Sequence, residues 1–264
     1  TNQGQTMART ALITGASAGI GRELAKLFAA DGHHLIIVAR RRDRLDELAA
    51  EIRAAHGVEV HVETADLADP AAPTELFRRV SDAGLRVDFL VNNAGFGTNG
   101  TFWQLDPQRE VDQIQVNVAA LTHLTRLFLP QMVERKFGRI LNIASTAGFQ
   151  AGPYMTVYYA TKAFVISFTE GLAYELGGTG VTATAHCPGA TESEFASTAG
   201  NDKSALFQKG SVAGTVEVAG DAYDAMHRGK TIAVHGAMNA VGAFMTRFTP
   251  RRTLAAVAGK LNKT

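Results

Sequence analysis

Short runs of consecutive apolar residues alternate along this chain with longer tracts of helical period, and that alternation restricts the fold more than any other feature. Residues 9–14, 34–39, 59–64, 87–92, 139–144, 181–186 and 231–234 read as strands. Between them, residues 19–31, 43–56, 73–83, 108–135, 157–176 and 216–227 read as helices. Strands that are mostly apolar suit a parallel sheet covered on both faces, and the β-then-α order supplies the covering helices. Pro130 is expected to bend or end part of the 108–135 tract. There is no internal repeat, low-complexity linker or break in composition, so residues 8–264 are expected to form one domain, with 1–7 as an extension. Residues 191–211 are rich in Gly, Ser, Thr and Ala without a clean period, as expected of a substrate loop.

Composition removes several classes of function. The chain has 264 residues, 46% hydrophobic and 19% charged, enough apolar content for a sizeable core. A formal net charge of +1 gives no reason to expect a nucleic-acid partner. One cysteine, Cys187, excludes an internal disulfide framework and a cysteine-based zinc site, and no metal site is expected. Sparse cysteine use and the absence of a recognisable secretory signal lead to a cytoplasmic expectation. The apolar stretch 231–245 is interrupted by His235, Gly236 and Asn239 and is too short for a membrane span.

Between the first strand and first helix lies Thr14-Gly15-Ala16-Ser17-Ala18-Gly19-Ile20-Gly21. Glycines at such a turn let the backbone approach a pyrophosphate, and the helix that follows offers free N–H groups and its positive dipole end. The second strand then runs into Arg40, Arg41 and Arg42, where an NAD site would carry an acid. Arginines there suit a 2′-phosphate, so Arg40 and Arg41 point to NADP(H). Arg42 and Arg44 are better read as the solvated start of a charged helix.

Tyr158 and Lys162 stand four residues apart and so share a helix face. A free tyrosine, with a pKa near 10, is a poor acid–base at neutral pH, and a neighbouring ammonium favours its phenolate. That spacing arises often by chance. Its weight comes from Ser145 at the end of the fifth strand, since the carboxyl ends of parallel strands are where ligands bind in such sheets. A serine hydroxyl there can donate to a substrate oxygen.

Taken in order, the turn through Gly15, Gly19, Ile20 and Gly21, then Asn92-Asn93-Ala94-Gly95, Ser145 and Tyr158–Lys162 resemble the motifs of the short-chain dehydrogenase/reductase family, over about residues 8–195. The resemblance implies an α/β fold, a single Rossmann-like, doubly wound parallel sheet of about seven strands with helices on both faces. It implies Tyr158 as acid–base, Lys162 on the nicotinamide ribose and tuning Tyr158, Ser145 positioning the substrate oxygen, and Asn117 holding a water in a proton relay to Lys162. It further implies Asp66 and Leu67 beside the adenine, Asn93, Ala94 and Gly95 beside the adenosine ribose, and Pro188, Gly189, Ala190 and Thr191 at the carboxamide. Ser17 with Arg40 and Arg41 resembles the phosphate subsite of NADP-preferring members, although Ala18 stands where some of them carry a basic residue.

The expected activity is NADP(H)-dependent interconversion of a ketone or aldehyde with an alcohol. A non-catalytic NADP-binding regulator on the same fold is the alternative, and an epimerase-type relative fits the glycine spacing and short C-terminal region poorly. The pocket mouth is expected from Phe96, Phe102, Trp103, Phe149, Tyr154, Met155 and Phe195. Only Lys203 and Lys209 follow as cations far along the loop, so a neutral, fairly hydrophobic substrate is expected. Apolar residues on the helices of Asn117 and Tyr158 (Leu121, Leu124, Leu127, Phe128; Phe164, Phe168, Leu172) lead to an expected homodimer or homotetramer. After Asp224 no acidic residue occurs. Arg247, Arg251, Arg252, Lys260 and Lys263 among apolar residues make a basic amphipathic tail, read as an interface in preference to a peripheral membrane contact.

Overall fold

The computed structural model describes residues 8–201, 204, 208 and 212–264. The extension 1–7, Lys203 and Lys209 lie outside the described residues. The seven apolar runs become strands β1 (Thr10–Thr14), β2 (His34–Ala39), β3 (Val60–Thr64), β4 (Phe89–Asn92), β5 (Gly138–Ile143), β6 (Val181–Cys187) and β7 (Ile232–Val234). They pair in parallel in the order β3-β2-β1-β4-β5-β6-β7.

Helices α1 (Gly19–Ala30) and α2 (Arg42–His56) pack on one face together with α8 (Thr215–His227). The opposite face carries α3 (Ala72–Asp82), α5 (Leu121–Glu134) and α6 (Thr156–Glu175). Leu12, Ile36 and Leu90 point into one layer while Ala11, Ile13, Leu35 and Ile37 point into the other. The period of two thus feeds two cores, which explains why the central strands are mostly apolar on both faces. Phe28 and Phe89 anchor the first core at 5.1 Å between ring centroids.

The sheet order reverses direction between β1 and β4. Ligand-binding crevices open at such a switch point, outside the carboxyl ends of the strands. The glycine turn leaves β1 here, and Asn93-Ala94-Gly95 leaves β4 beside it.

The 108–135 tract divides differently from expectation. Pro130 sits inside α5 without ending it. The interruption is a π-helical stretch, Gln115–Ala120, between α4 (Pro107–Ile114) and α5. A π turn inserts one extra residue per turn and re-aims the side chains around it, and such bulges occur often at functional sites. Asn117 lies within it. Residues 191–211 are likewise not wholly irregular, since a short helix, α7 (Glu194–Ala199), forms there and ends at Gly200. The C-terminal region forms α9 (Ala237–Met245) and α10 (Arg251–Asn262). None of the helices among the described residues is long and apolar enough to cross a membrane.

Candidate active site

The glycine turn is held by side-chain and close backbone contacts. The Thr14 hydroxyl donates to the Val91 carbonyl and accepts from the backbone N–H groups of Asn93 and Ala94. Asn93 Nδ2 donates to the carbonyls of Thr14 and Gly15 at 2.9 and 3.2 Å. Gly15 has φ +68°, and a Cβ there would lie 2.9 Å from the Ala94 Cα. A Cβ on Gly21 would meet the Gly15 carbonyl oxygen at 2.5 Å. Both positions therefore require glycine for room, one of them also for conformation. Helix α1 begins directly after the turn with no side-chain cap. Gly19 and Ile20, the first two residues of that helix, line a cavity, and their N–H groups have no intrahelical partner. An anion is the natural occupant of such an end, so the turn fits a dinucleotide pyrophosphate.

That cavity, about 1140 Å³ in volume, collects nearly all the expected site residues. Gly15, Ser17, Gly19, Ile20, Arg40, Arg41, Asp66, Leu67, Asn93, Ala94 and Gly95 line one part of it. Ser145, Tyr158, Lys162, Pro188, Gly189, Ala190 and Thr191 line the remainder. Gly21 and Asn117 stand behind the wall. Gly21 permits the close packing of α1. Asn117 Oδ1 accepts from the Phe96 N–H, and its Nδ2 donates to the Phe96 carbonyl and to Thr161 Oγ1. A Cβ on Gly95 would lie 3.0 Å from Asn117 Oδ1 and 3.6 Å from Lys162 Nζ. The absence of a side chain at Gly95 thus lets the β4 turn approach both residues.

At the catalytic end, Lys162 is buried and its ammonium donates to the Ile143 carbonyl at 2.7 Å. Its Nζ stands 5.7 Å from the centre of the Tyr158 ring. Loss of solvation pulls the Lys162 pKa down to about 8. The Tyr158 hydroxyl is pushed above its ordinary value by burial, and a hydrogen bond with Ser145 pulls it back. The ring itself remains partly open to the cavity. Ser145 Oγ accepts from the Ala147 N–H at 3.1 Å, capping the 3₁₀ turn that follows β5. Its rotamer is thereby fixed by local backbone.

Arg41 Nη2 lies 3.2 Å from Ser17 Oγ and forms an ion pair of 2.7 Å with Glu194 of α7. Arg40 stands 3.9 Å from Asp66. Arg40 and Arg41 both line this part of the cavity, and Arg41 is in addition tied to α7. Glu194 gave no signal in the sequence, because it belongs to another element 153 positions away.

The expected pocket mouth is only partly observed. Phe96, Met155 and Phe195 line the cavity, and the Phe195 ring lies 5.0 Å from that of Tyr158. Phe102 and Trp103 are exposed instead, on a 3₁₀ turn, and Phe149 packs against a separate core cluster. A cation also stands in the wall: Arg109, its guanidinium 4.8 Å above the Phe96 ring. The C-terminal end of the chain closes the site, a role no linear motif announces. Asn99 Nδ2 donates to the Asn262 carbonyl and to Asn201 Oδ1. Asn262 Nδ2 donates to the Pro153 carbonyl, and its Oδ1 accepts from Tyr159. Leu261 and Met238 thereby become lining residues.

A glycine turn at the switch point of a doubly wound sheet, with tyrosine and lysine at the carboxyl end of β5, places this chain among the α/β dinucleotide-binding proteins. Residues 9–204 match the family model described as short chain dehydrogenase. The chain belongs to that family of oxidoreductases.

It is 38% identical over 197 residues to a short chain dehydrogenase of Pseudocercospora fijiensis, covering 73% of this chain and 63% of that relative, so it spans less than two thirds of the relative's length. A short-chain dehydrogenase from Sphingobium yanoikuyae in complex with NADPH superposes with a TM-score of 0.82 at 36% identity, covering 91% of this chain and 94% of the other. One from Burkholderia phymatum in complex with NAD superposes with a TM-score of 0.81 at 26% identity, covering 90% and 92%.

Proposed function

We propose that the protein is an NADP(H)-dependent oxidoreductase that interconverts a ketone or aldehyde with an alcohol, Tyr158 acting as the acid–base. The observation that carries this reading is the single cavity that joins an uncapped α1 N-terminus, the Ser17–Arg40–Arg41 corner and the Ser145–Tyr158–Lys162 group. Nicotinamide supplies the hydride when bound. This chain's residues do the rest. Ser145 and Tyr158 hold the substrate oxygen, and Tyr158 gives it a proton in reduction or takes one in oxidation. Lys162, anchored on the Ile143 carbonyl, presents positive charge beside the phenol and would hold the nicotinamide ribose. Asn117, locked by Phe96 and Thr161, keeps the π turn open as part of a proton route to Lys162.

Phe96, Met155, Phe195, Met238 and Leu261 give the substrate end an apolar lining. Arg109 lies over the Phe96 ring and keeps its charge, so the reading of a neutral, hydrophobic carbonyl compound as substrate rests on this apolar lining. NADPH oxidation measured across a panel of carbonyl compounds tests the whole reading. Turnover of bulky neutral ketones or aldehydes is expected. Binding of NADPH without turnover of any carbonyl or alcohol would reject it in favour of the non-catalytic regulator.

A homodimer or homotetramer is also part of this reading. Leu121, Leu124 and Phe128 are core residues and take no part in an interface. Val111, Ile114, Phe164 and Tyr174 remain exposed on α4 and α6, with Phe164 stacked on Phe168. Light scattering at micromolar concentration should give two or four times the 28.1 kDa chain mass. A monomer there would overturn the assembly.

A further inference from the structure

Beside the residues 188–191 segment, three side chains from separate elements converge on one point. His186 projects from β6 and is fully buried, Asp221 comes from α8, and His235 follows β7. His186 Nε2 lies 3.1 Å from Asp221 Oδ2, and His235 Nδ1 lies 3.2 Å from the same oxygen. Donor atoms of the three all fall within 4.8 Å of one another. Glu217, one helical turn before Asp221, brings Oε1 to 3.7 Å from His235 Nε2. The three residues are separated by 35 and 14 positions, so no linear spacing reveals them. The proposed oxidoreductase chemistry uses none of them.

We propose that His186, Asp221 and His235 bind a divalent cation of the Zn²⁺ type, with water completing four-coordination and Glu217 beside the outer ring nitrogen of His235. Two imidazole nitrogens and one carboxylate oxygen are a donor set that such a cation takes. Metal–ligand bonds of about 2.0–2.2 Å in a tetrahedron set neighbouring ligand atoms roughly 3.3–3.5 Å apart. The observed spacings of 3.1 and 3.2 Å to Asp221 are a few tenths of an ångström short of this, and the two imidazole nitrogens lie within 4.8 Å of each other, so binding opens the first two edges slightly and adjusts the third. Asp221 is the half-exposed member and provides the way in from solvent.

The competing arrangement is a hydrogen-bonded network in which both imidazoles donate to Asp221. Among the described residues His186 Nδ1 has no partner in either arrangement, so the two differ only in what its Nε2 meets. There the choice lies between a charge-assisted hydrogen bond to the Asp221 carboxylate and a cation that both imidazoles and the carboxylate share.

The cation would act as a tie. His235 and Glu217 line the cofactor cavity, and the His235 carbonyl accepts from Asn239 Nδ2, whose amide packs against Gly189. Joining β6, the end of β7 and α8 would fix this wall in place.

The test uses the full chain without a histidine tag, stripped with a chelator and titrated with Zn²⁺. Equilibrium dialysis should give one Zn²⁺ per chain. At a free concentration about 100 times the Kd, the melting temperature should rise by roughly 5–10 °C. Co²⁺ in its place should give the strong visible absorption of a tetrahedral site. Asp221→Asn and His235→Gln, each first shown by circular dichroism to fold without metal, should lose both the uptake and the thermal shift. No saturable uptake up to millimolar Zn²⁺, or uptake unchanged in both variants, would overturn the proposal and leave a hydrogen-bonded network.

Discussion

Tyr158→Phe should lower turnover by about 10²–10⁴-fold, the usual contribution of a positioned acid–base, while the dissociation constant for NADPH changes little. The substitution removes one oxygen and keeps the ring against Phe195, so the packing of the site survives. Steady-state rates beside a fluorescence titration of NADPH separate the two effects, and turnover within a fewfold of the parent would refute the assignment. The direction of pH dependence follows from the same groups. Burial raises the Tyr158 pKa, so alcohol oxidation, which needs the phenolate, should increase with pH. Lys162, drawn down to about 8, loses its charge above that pH and with it part of the support for the phenolate. The rise should therefore be shallower above pH 8 than a single titration gives, and Lys162→Met should remove that inflection.

Arg40→Ala together with Arg41→Ala should reduce kcat/KM for NADPH by about 10–100-fold and leave the value for NADH nearly unchanged. Charge-assisted, forked contacts to a phosphate are strong, but both guanidinium groups are substantially exposed, which places the effect in this lower range. Glu194 sharpens the expectation. Its carboxyl is held below the usual carboxylate range, chiefly by hydrogen bonding to Arg41, so it competes with a 2′-phosphate for that guanidinium. Glu194→Gln should therefore strengthen NADPH binding a fewfold without affecting NADH. Equal losses for both dinucleotides in the double arginine variant would show that the corner does not read the 2′-phosphate.

Much of the scaffold was legible in the sequence because its signals are local. A central parallel strand is buried on both faces and reads as mostly apolar, and all seven strands were read at nearly their final bounds, the edge strand β3 from its alternating valines. Gly15 and Gly21 announced a turn that no other residue can fill. The 108–135 tract was less legible. The helical period was plain, but the π turn at Gln115–Ala120 depends on Asn117 reaching Phe96 and Thr161 from other elements. Pro130 was the weaker guide, since its missing N–H lies on an exposed side of α5 where the helix tolerates it. The exposure of Phe102 and Trp103 could not be read either. Aromatic character alone does not distinguish a pocket wall from a surface turn.

By itself the sequence determined the order of elements, the glycine turn and the shared face of Tyr158 and Lys162, since each depends on residues within one or two helical turns or one strand of each other. Only the tertiary structure decided what surrounds them. It brought Glu194 to Arg41, folded Asn262 back onto Asn99 and Pro153, and gathered His186, Asp221 and His235 at one point. Those contacts depend on the sheet order β3-β2-β1-β4-β5-β6-β7, which brings the carboxyl ends of strands distant in sequence to one edge. Packing of helices onto both faces then sets which side chains meet there, and no spacing along the chain encodes that geometry.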